Sequence, residues 1–305
     1  MIIFGVTQPI EMKELKLPTY GGQAVIEGVM MRSRRSVAIA MRAPDNSIVI
    51  HQEQLGGIYK SNLAKIPFLR GLVMLWDALG LGFRALTISA NLQTGEDEKI
   101  EGPLFYLTLI ISLSIAVALF FLTPAIAGQL TEKYLHWNAW WSNLLEGFVR
   151  LGLLVTYIWA IGKIEEIQRV FAYHGAEHKT INAFEAGAEL NPASVARFPL
   201  EHPRCGTAFL LTLVLLSILL FTVIGPLPWF WRLVSRIILL PGLAGLAYEY
   251  IRWTANHFDS PFVSWLVKPN LALQRLTTRE PSQDILEVSI AAFNAMRSAE
   301  GQMVA

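Results

Sequence analysis

The sequence predicts a mainly α-helical membrane protein: about four transmembrane helices, an interfacial or re-entrant helix before them, a small N-terminal β-hairpin and a cytoplasmic C-terminal helix. Three observations predict it. The 305 residues are 53% hydrophobic and only 16% charged, against about 25% charged in ordinary soluble domains. The missing charge is concentrated in uninterrupted apolar runs of the length, about 20 residues, that a helix needs to cross the hydrocarbon layer. Basic residues avoid alternate connecting segments, which is how cytoplasmic and external loops differ.

Two spans are free of charge. Leu104–Leu122 stands between Pro103 and Pro124, and Thr207–Ile224 ends at Gly225-Pro226. Two further spans carry charge. Leu144–Gly162 contains Glu146 and Arg150, and Trp229–Tyr248 contains Arg232 and Arg236. Each pair is spaced i, i+4 and so shares a helix face. Charge inside a span costs several kcal/mol unless it is paired or near the interface. The four residues therefore form either one polar cluster between the two helices or a set that snorkels to the surface.

Orientation follows from the basic residues. Lys13, Lys16, Arg32, Arg34, Arg35, Arg42, Lys60, Lys65, Arg70, Arg84 and Lys99 precede the first span, whereas the loop 123–143 has only Lys133 beside Trp137, Trp140 and Trp141. Lys163, Arg169, Lys179, Arg197 and Arg204 lie between spans two and three, and Arg252, Lys268, Arg275, Arg279 and Arg297 follow the fourth. Both termini and the central loop are thus expected inside, with the Trp-rich loop outside. Gly71–Ala90 is also long and apolar, with only Asp77 and Arg84 charged. As a span it would place the basic N-terminal region outside, so an interfacial or re-entrant helix on the inner leaflet fits better. The resulting division is a cytoplasmic segment 1–60, the interfacial helix 61–102, a transmembrane region 103–250 with the cytoplasmic loop 163–206, and a cytoplasmic tail 251–305.

In the soluble parts, Ser36–Ala43 and Ile48–Leu55 alternate around Pro44-Asp45-Asn46-Ser47 and read as a hairpin. Gly21–Gly28 has no phosphate-loop spacing and reads as a tight turn into it. From Pro269 the tail gives a Thr-Thr-Arg-Glu-Pro turn. Residues 282–299 then form an amphipathic helix with Ile285, Val288, Ala292 and Met296 near one face. No basic segment precedes an apolar core at the N-terminus, so no cleaved signal peptide is expected. Cys205 is the only cysteine, which excludes an internal disulfide, and no basic run suits nucleic acid.

The chemistry-bearing residues gather in the central loop. The second span continues without proline into Lys163–Ala186, a helical extension that carries His174-Gly175-Ala176-Glu177-His178. Histidines at i and i+4 can bind one metal ion, and H-x-x-E-H is the order of the inverted zinc peptidases. Glu177 then suits a general base acting on water, and Glu185, three turns on from His174, returns to its face. A second cluster, Glu201-His202-Pro203-Arg204-Cys205, ends where the third span begins. His202 and Cys205 are both competent ligands for a divalent ion, zinc being the expected one. Cys205 remains open as ligand, nucleophile or packing residue. His51, His136 and His257 read as interface or surface residues. Glu249 reads as a local ion pair with Arg252.

The segments Gly21–Arg32 (GGQAVIEGVMMR), Tyr173–Thr180 (YHGAEHKT), His202–Thr207 (HPRCGT) and Leu273–Pro281 (LQRLTTREP) resemble the YqhQ-like family of bacterial membrane proteins. The resemblance runs from about Tyr20 to the final helix. It implies a multi-pass protein of the bacterial inner membrane and a metal-dependent enzyme, with the metal on His174, His178 and the His202/Cys205 pair. It supplies no reaction. A hydrolase is the expected activity, with Glu177 as base and Arg204 holding an anionic substrate group or oxyanion. A site pinned at the inner leaflet suits a lipid-linked or membrane-inserted substrate. The alternative is a non-enzymatic scaffold or assembly factor in which the metal is structural. A thiol enzyme using Cys205 with a nearby histidine also stays open. A transporter fits worse, since neither clean span carries a charged residue, and Tyr106 is the one polar residue in them larger than Ser or Thr.

Overall fold

The computed structural model describes residues 20–55, 66–94, 103–225 and 227–301. Lys13, Lys16, Lys60, Lys65, Lys99 and Pro226 lie outside the described residues.

The expected hairpin is present as β3 (Ser36–Arg42) and β4 (Ile48–Gln54), turning at Asp45–Ser47. Gly21–Gly28, however, is more than a turn. It forms β1 (Gly21–Val25) and leads into β2 (Gly28–Arg32), and the antiparallel sheet has the order β1-β2-β3-β4. The turn between β1 and β2 needs a left-handed residue, which Glu27 supplies at φ 51°. The glycines of this segment hid a strand, because glycine in a strand interior also marks close approach of a neighbour. Both faces of the sheet are covered. Val29, Met31, Ala38 and Ala40 face one core with residues of α5 (Glu165–Glu185) and α11 (Gln283–Gly301). Val25, Met30, Val37, Ile39 and Met41 face a second core with Ala85 and, around it, Leu81, Ile88 and Leu92 of α1 (Leu69–Thr94). Three segments far apart in sequence thus make one α/β unit. Ile285, Val288, Ala292 and Met296 of α11 are all buried in it, as their spacing predicts.

Among the described residues, Leu69–Thr94, Tyr106–Leu135, Ala139–Ile161 and Gly206–Ile224 are long and apolar enough to cross a membrane. A fifth candidate is the pair α8 (Trp229–Ile238) and α9 (Leu240–Asn256), bent by 43°. The expected end of the first span at Leu122 is corrected. Helix α2 (Pro103–Val117) passes through a π-helical turn, Ala118–Leu122, into α3 (Thr123–Leu135). Pro124 has no N–H to give to the carbonyl four residues back, Phe120, and that carbonyl instead accepts from Arg150 Nε at 3.1 Å. The helical extension of the second span is also broken. Helix α4 (Ala139–Ile161) ends at Gly162, and three-residue turns at Lys163 and Ile164 redirect the chain into α5.

The four charged span residues form the polar cluster rather than snorkelling. Glu146 accepts from Arg150 Nη2, Arg236 Nε and Arg236 Nη2, each at 2.9 Å, and from Arg232 Nε at 3.3 Å. Asn143 Oδ1 takes Arg232 Nη2 at 2.7 Å, and Glu132 of α3 takes Arg232 Nη1 at 2.9 Å. Pro269 does not start the turn of the tail, because α10 (Pro261–Thr277) runs through it. This helix lies along α7 (Gly206–Ile224) and touches α4, with Leu273 packed on Leu154, Ile158 and Leu211 and Asn270 bonded to Thr212. That part of the expected cytoplasmic tail is therefore built into the bundle. Glu249 pairs with Arg70 of α1 rather than with Arg252 alone.

Candidate metal centre

The ligating atoms of His174, His178 and Cys205 all lie within 4.8 Å of one another. Helix α5 supplies both histidines one turn apart, and their rings meet edge to face at 4.4 Å. Cys205 is the N-cap of α7, in extended conformation, which turns its side chain back toward α5. His174 Nε2 is 3.2 Å from Cys205 Sγ. Tetrahedral zinc with bonds of about 2.0–2.3 Å holds its ligand atoms roughly 3.5 Å apart, so this pair stands near that spacing.

The second ring nitrogens fix the tautomers. His174 Nδ1 donates to the Thr277 carbonyl at 2.9 Å, and His178 Nδ1 donates to the Leu200 carbonyl. Backbone carbonyls on Nδ1 leave Nε2 as a lone pair in both rings, the arrangement that orients metal-ligating imidazoles. On His178 that Nε2 atom is buried and has no hydrogen-bond partner. A buried acceptor without a partner costs about 1–3 kcal/mol. A cation is the group that would offset this beside a second Nε2 and a thiol, so the residues fit a divalent, thiophilic ion.

The remaining expected residues are placed as follows. The His202 ring lies beside that of His178, centroids 5.7 Å apart, but outside the group of three. Its Nδ1 accepts the Arg204 amide at 3.4 Å, and its Nε2 lies 3.7 Å from Glu185 Oε2. Both nitrogens are thus engaged. Burial, reinforced by Arg204 and His178, lowers its pKa against the pull of Glu185 and so favours the neutral ring. Arg204 does not point an open guanidinium at the cluster but pairs with Glu185. Burial opposes ionisation of Glu185, yet His202 and Arg204 outweigh it and hold its carboxyl below the usual range. Glu185 does return to this region, as its spacing from His174 predicts.

Glu177 is buried between α5 and the sheet. Burial raises its pKa to about 7, against the lowering effects of His174 and of a hydrogen bond from the Gly22 backbone amide. A carboxyl with that pKa can take or give a proton at neutral pH. Gly22 is the site residue that the sequence reading missed. A Cβ there would stand 2.9 Å from the Glu177 Cδ and 2.5 Å from the Met30 carbonyl. The glycine-rich segment near the N-terminus was the available signal, but only pairing of β1 with α5 gives it meaning. Replacing Gly22 by Ala is expected to displace the Glu177 carboxyl and to lower the melting temperature of the purified protein. A melting temperature and proton affinity of Glu177 equal to wild type would refute this contact.

Comparison with known proteins gives the relationship without a reaction. A family model described as a protein of unknown function (DUF1385) matches residues 66–299. The uncharacterized protein YqhQ of Bacillus subtilis (strain 168) is 33% identical over 294 residues, covering 92% of this chain and 92% of that protein. No solved structure matches. A match of this extent, to the family model and along nearly the whole relative, means that the chain belongs to the DUF1385 family of YqhQ-like proteins.

Proposed function

We propose that this protein is a metal-dependent hydrolase of the bacterial inner membrane, acting at the cytoplasmic leaflet on a lipid-linked or membrane-inserted substrate. The observation that carries the reading is the buried, unpartnered Nε2 of His178, converging with His174 and Cys205. These three residues would hold the ion, with zinc the expected metal. A dication held there supplies Lewis acidity, polarising a substrate oxygen and making water acidic enough to ionise near neutral pH. Glu177 receives a proton at its carboxyl and returns it to a leaving group, a role suited to its raised pKa. The Thr277 and Leu200 carbonyls orient the two imidazoles. Arg204, held by Glu185, stays at the edge of the site, where an anionic group of the substrate would meet it.

The alternative, a scaffold with a structural metal, calls for a closed four-ligand site. Among the described residues three side chains converge and His202 is occupied elsewhere, which favours an open position and hence catalysis. Purified zinc-loaded protein should be offered lipid-linked and membrane-peptide substrates in parallel with Glu177→Gln. Wild type is expected to form a product that the variant forms about 10²–10⁴-fold more slowly. Equal product from both would remove Glu177 from the reaction, and none from either class would remove the hydrolase.

Packing supports one part of the expected orientation, that the sheet, α5 and α11 lie on the same side. The sheet touches both α5 and α11, so all three share one compartment. An even number of crossings must then separate β4 from α5. The helix 106–135 and α4 make two, and α1 would add an odd one. Helix α1 instead covers the sheet with Leu81, Ala85, Ile88 and Leu92 and exposes Trp76, Leu79, Phe83 and Leu86 on the opposite face. That stripe suits a helix lying in the inner leaflet. Cysteines placed at Asp45, Thr94 and Ala193 are expected to be labelled only from the cytoplasmic side, and one at Trp140 only from outside. Labels at Asp45 and Thr94 reporting opposite sides would make α1 a span and overturn the scheme.

A further inference from the structure

We propose that Gln274, on the last turn of α10, is a positioning residue that sets the geometry of the metal centre; this rests on the metal reading above. Gln274 is completely buried (0% exposed), and its side-chain hydrogen bonds go to His202 rather than to the three candidate ligands. Its amide clamps the backbone of His202 from both sides. Oε1 accepts the His202 N–H at 2.9 Å, and Nε2 donates to the His202 carbonyl at 2.9 Å. A side-chain amide with one acceptor and one donor arm is the group that can satisfy both backbone atoms of a single residue.

What this clamp holds is the turn that delivers the ligands. His202 lies three residues before Cys205, whose N–H bonds back to the His202 carbonyl at 3.3 Å. The same turn begins at Leu200, whose carbonyl fixes the His178 ring. On the other side, the Gln274 backbone carbonyl accepts the hydroxyls of Thr277 and Thr278 at 3.1 and 2.9 Å. These bonds close the end of α10, and Thr278 leaves it in extended conformation. The Thr277 carbonyl is thereby left to fix the His174 ring. One residue therefore ties together the supports of His174, His178 and Cys205. The Leu273–Pro281 segment, which shows no ligand in the sequence, acquires a role: it is the outer layer of the site. Such supports typically contribute about 10–100-fold in metal affinity.

The test uses full-length protein in detergent, stripped by chelator and titrated with cobalt(II) alone. Wild type is expected to develop a thiolate-to-cobalt charge-transfer band. Gln274→Met keeps the volume and removes both amide arms. It is expected to weaken cobalt binding about 10–100-fold and to shift the band, while the ligands remain in place. Gln274→Asn, whose amide is one methylene too short to reach both backbone atoms of His202, is expected to give a change in the same direction and serves if the first variant does not fold. A second readout needs no metal: the rate of alkylation of buried Cys205 in the stripped protein should rise several-fold in Gln274→Met. Wild-type cobalt affinity together with a wild-type alkylation rate in a folded variant would overturn the positioning role alone. If wild type binds no cobalt, the metal reading fails, and alkylation then decides whether Gln274 still orders the 200–205 turn: an unchanged rate refutes it.

Discussion

Glu146→Gln is expected to destabilise the helical bundle by about 3–5 kcal/mol, the usual result of removing one partner from a buried ion pair. Glu146 is the shared acceptor for three guanidinium groups on two helices, and Arg150, Arg232 and Arg236 are all buried. Glutamine keeps the shape but leaves three cations facing one another, with Glu132, Asn143, Ser217 and Ser235 as the further side-chain acceptors among the described residues. In an apolar surrounding the unpaired charge, rather than the lost hydrogen bonds, dominates the cost. The expected outcome is a large fall in melting temperature on fluorescence-detected size exclusion, with partial recovery in the double variant Glu146→Gln/Arg236→Gln. A single variant as stable as wild type would mean that the cluster is hydrated and carries little energy.

His178→Ala is expected to reduce bound metal sharply, because it takes one ligand from a group of three. The same change removes the buried acceptor without a partner, so the metal-free protein should lose less stability than a core truncation of this size, about 2–5 kcal/mol for large aliphatic residues. The two effects therefore have opposite character: a large loss in metal content and a small loss in apo stability. Elemental analysis and thermal unfolding of the chelator-treated protein measure them separately. Full metal content in the variant would take His178 out of the ligand set. A large loss of apo stability would instead assign the ring a packing role.

The long apolar helices were legible because an uncharged run of about 20 residues is a local signal; Thr207–Ile224 matches its helix closely, whereas the helix that begins with Leu104–Leu122 continues to Leu135. The His174/His178 pair was legible for a similar reason, since i, i+4 spacing is local to one helix. What the sequence hid was whatever depends on a partner far along the chain. Pro124 read as a helix end because the group that replaces its missing bond, Arg150, is 26 residues later. Gly22 read as part of a turn because the carboxyl that needs the space belongs to α5. His202 and Cys205 looked equivalent as ligands by proximity, and only the folded turn shows that His202 faces Glu185 while Cys205 faces His174. Gln274 lay inside the Leu273–Pro281 motif but carried no chemical signal of its own, since a single glutamine in an amphipathic helix has no spacing to reveal it.

The most direct measurement is the metal content of wild-type protein purified without chelator, set against Cys205→Ser prepared in the same way. Two histidine lone pairs and one thiol converge, and one of those lone pairs is buried with nothing to bind. Close to one divalent ion per wild-type chain and a marked loss in the serine variant are expected. Wild-type protein that carries no stoichiometric metal, and takes none up when zinc is supplied, would contradict this expectation.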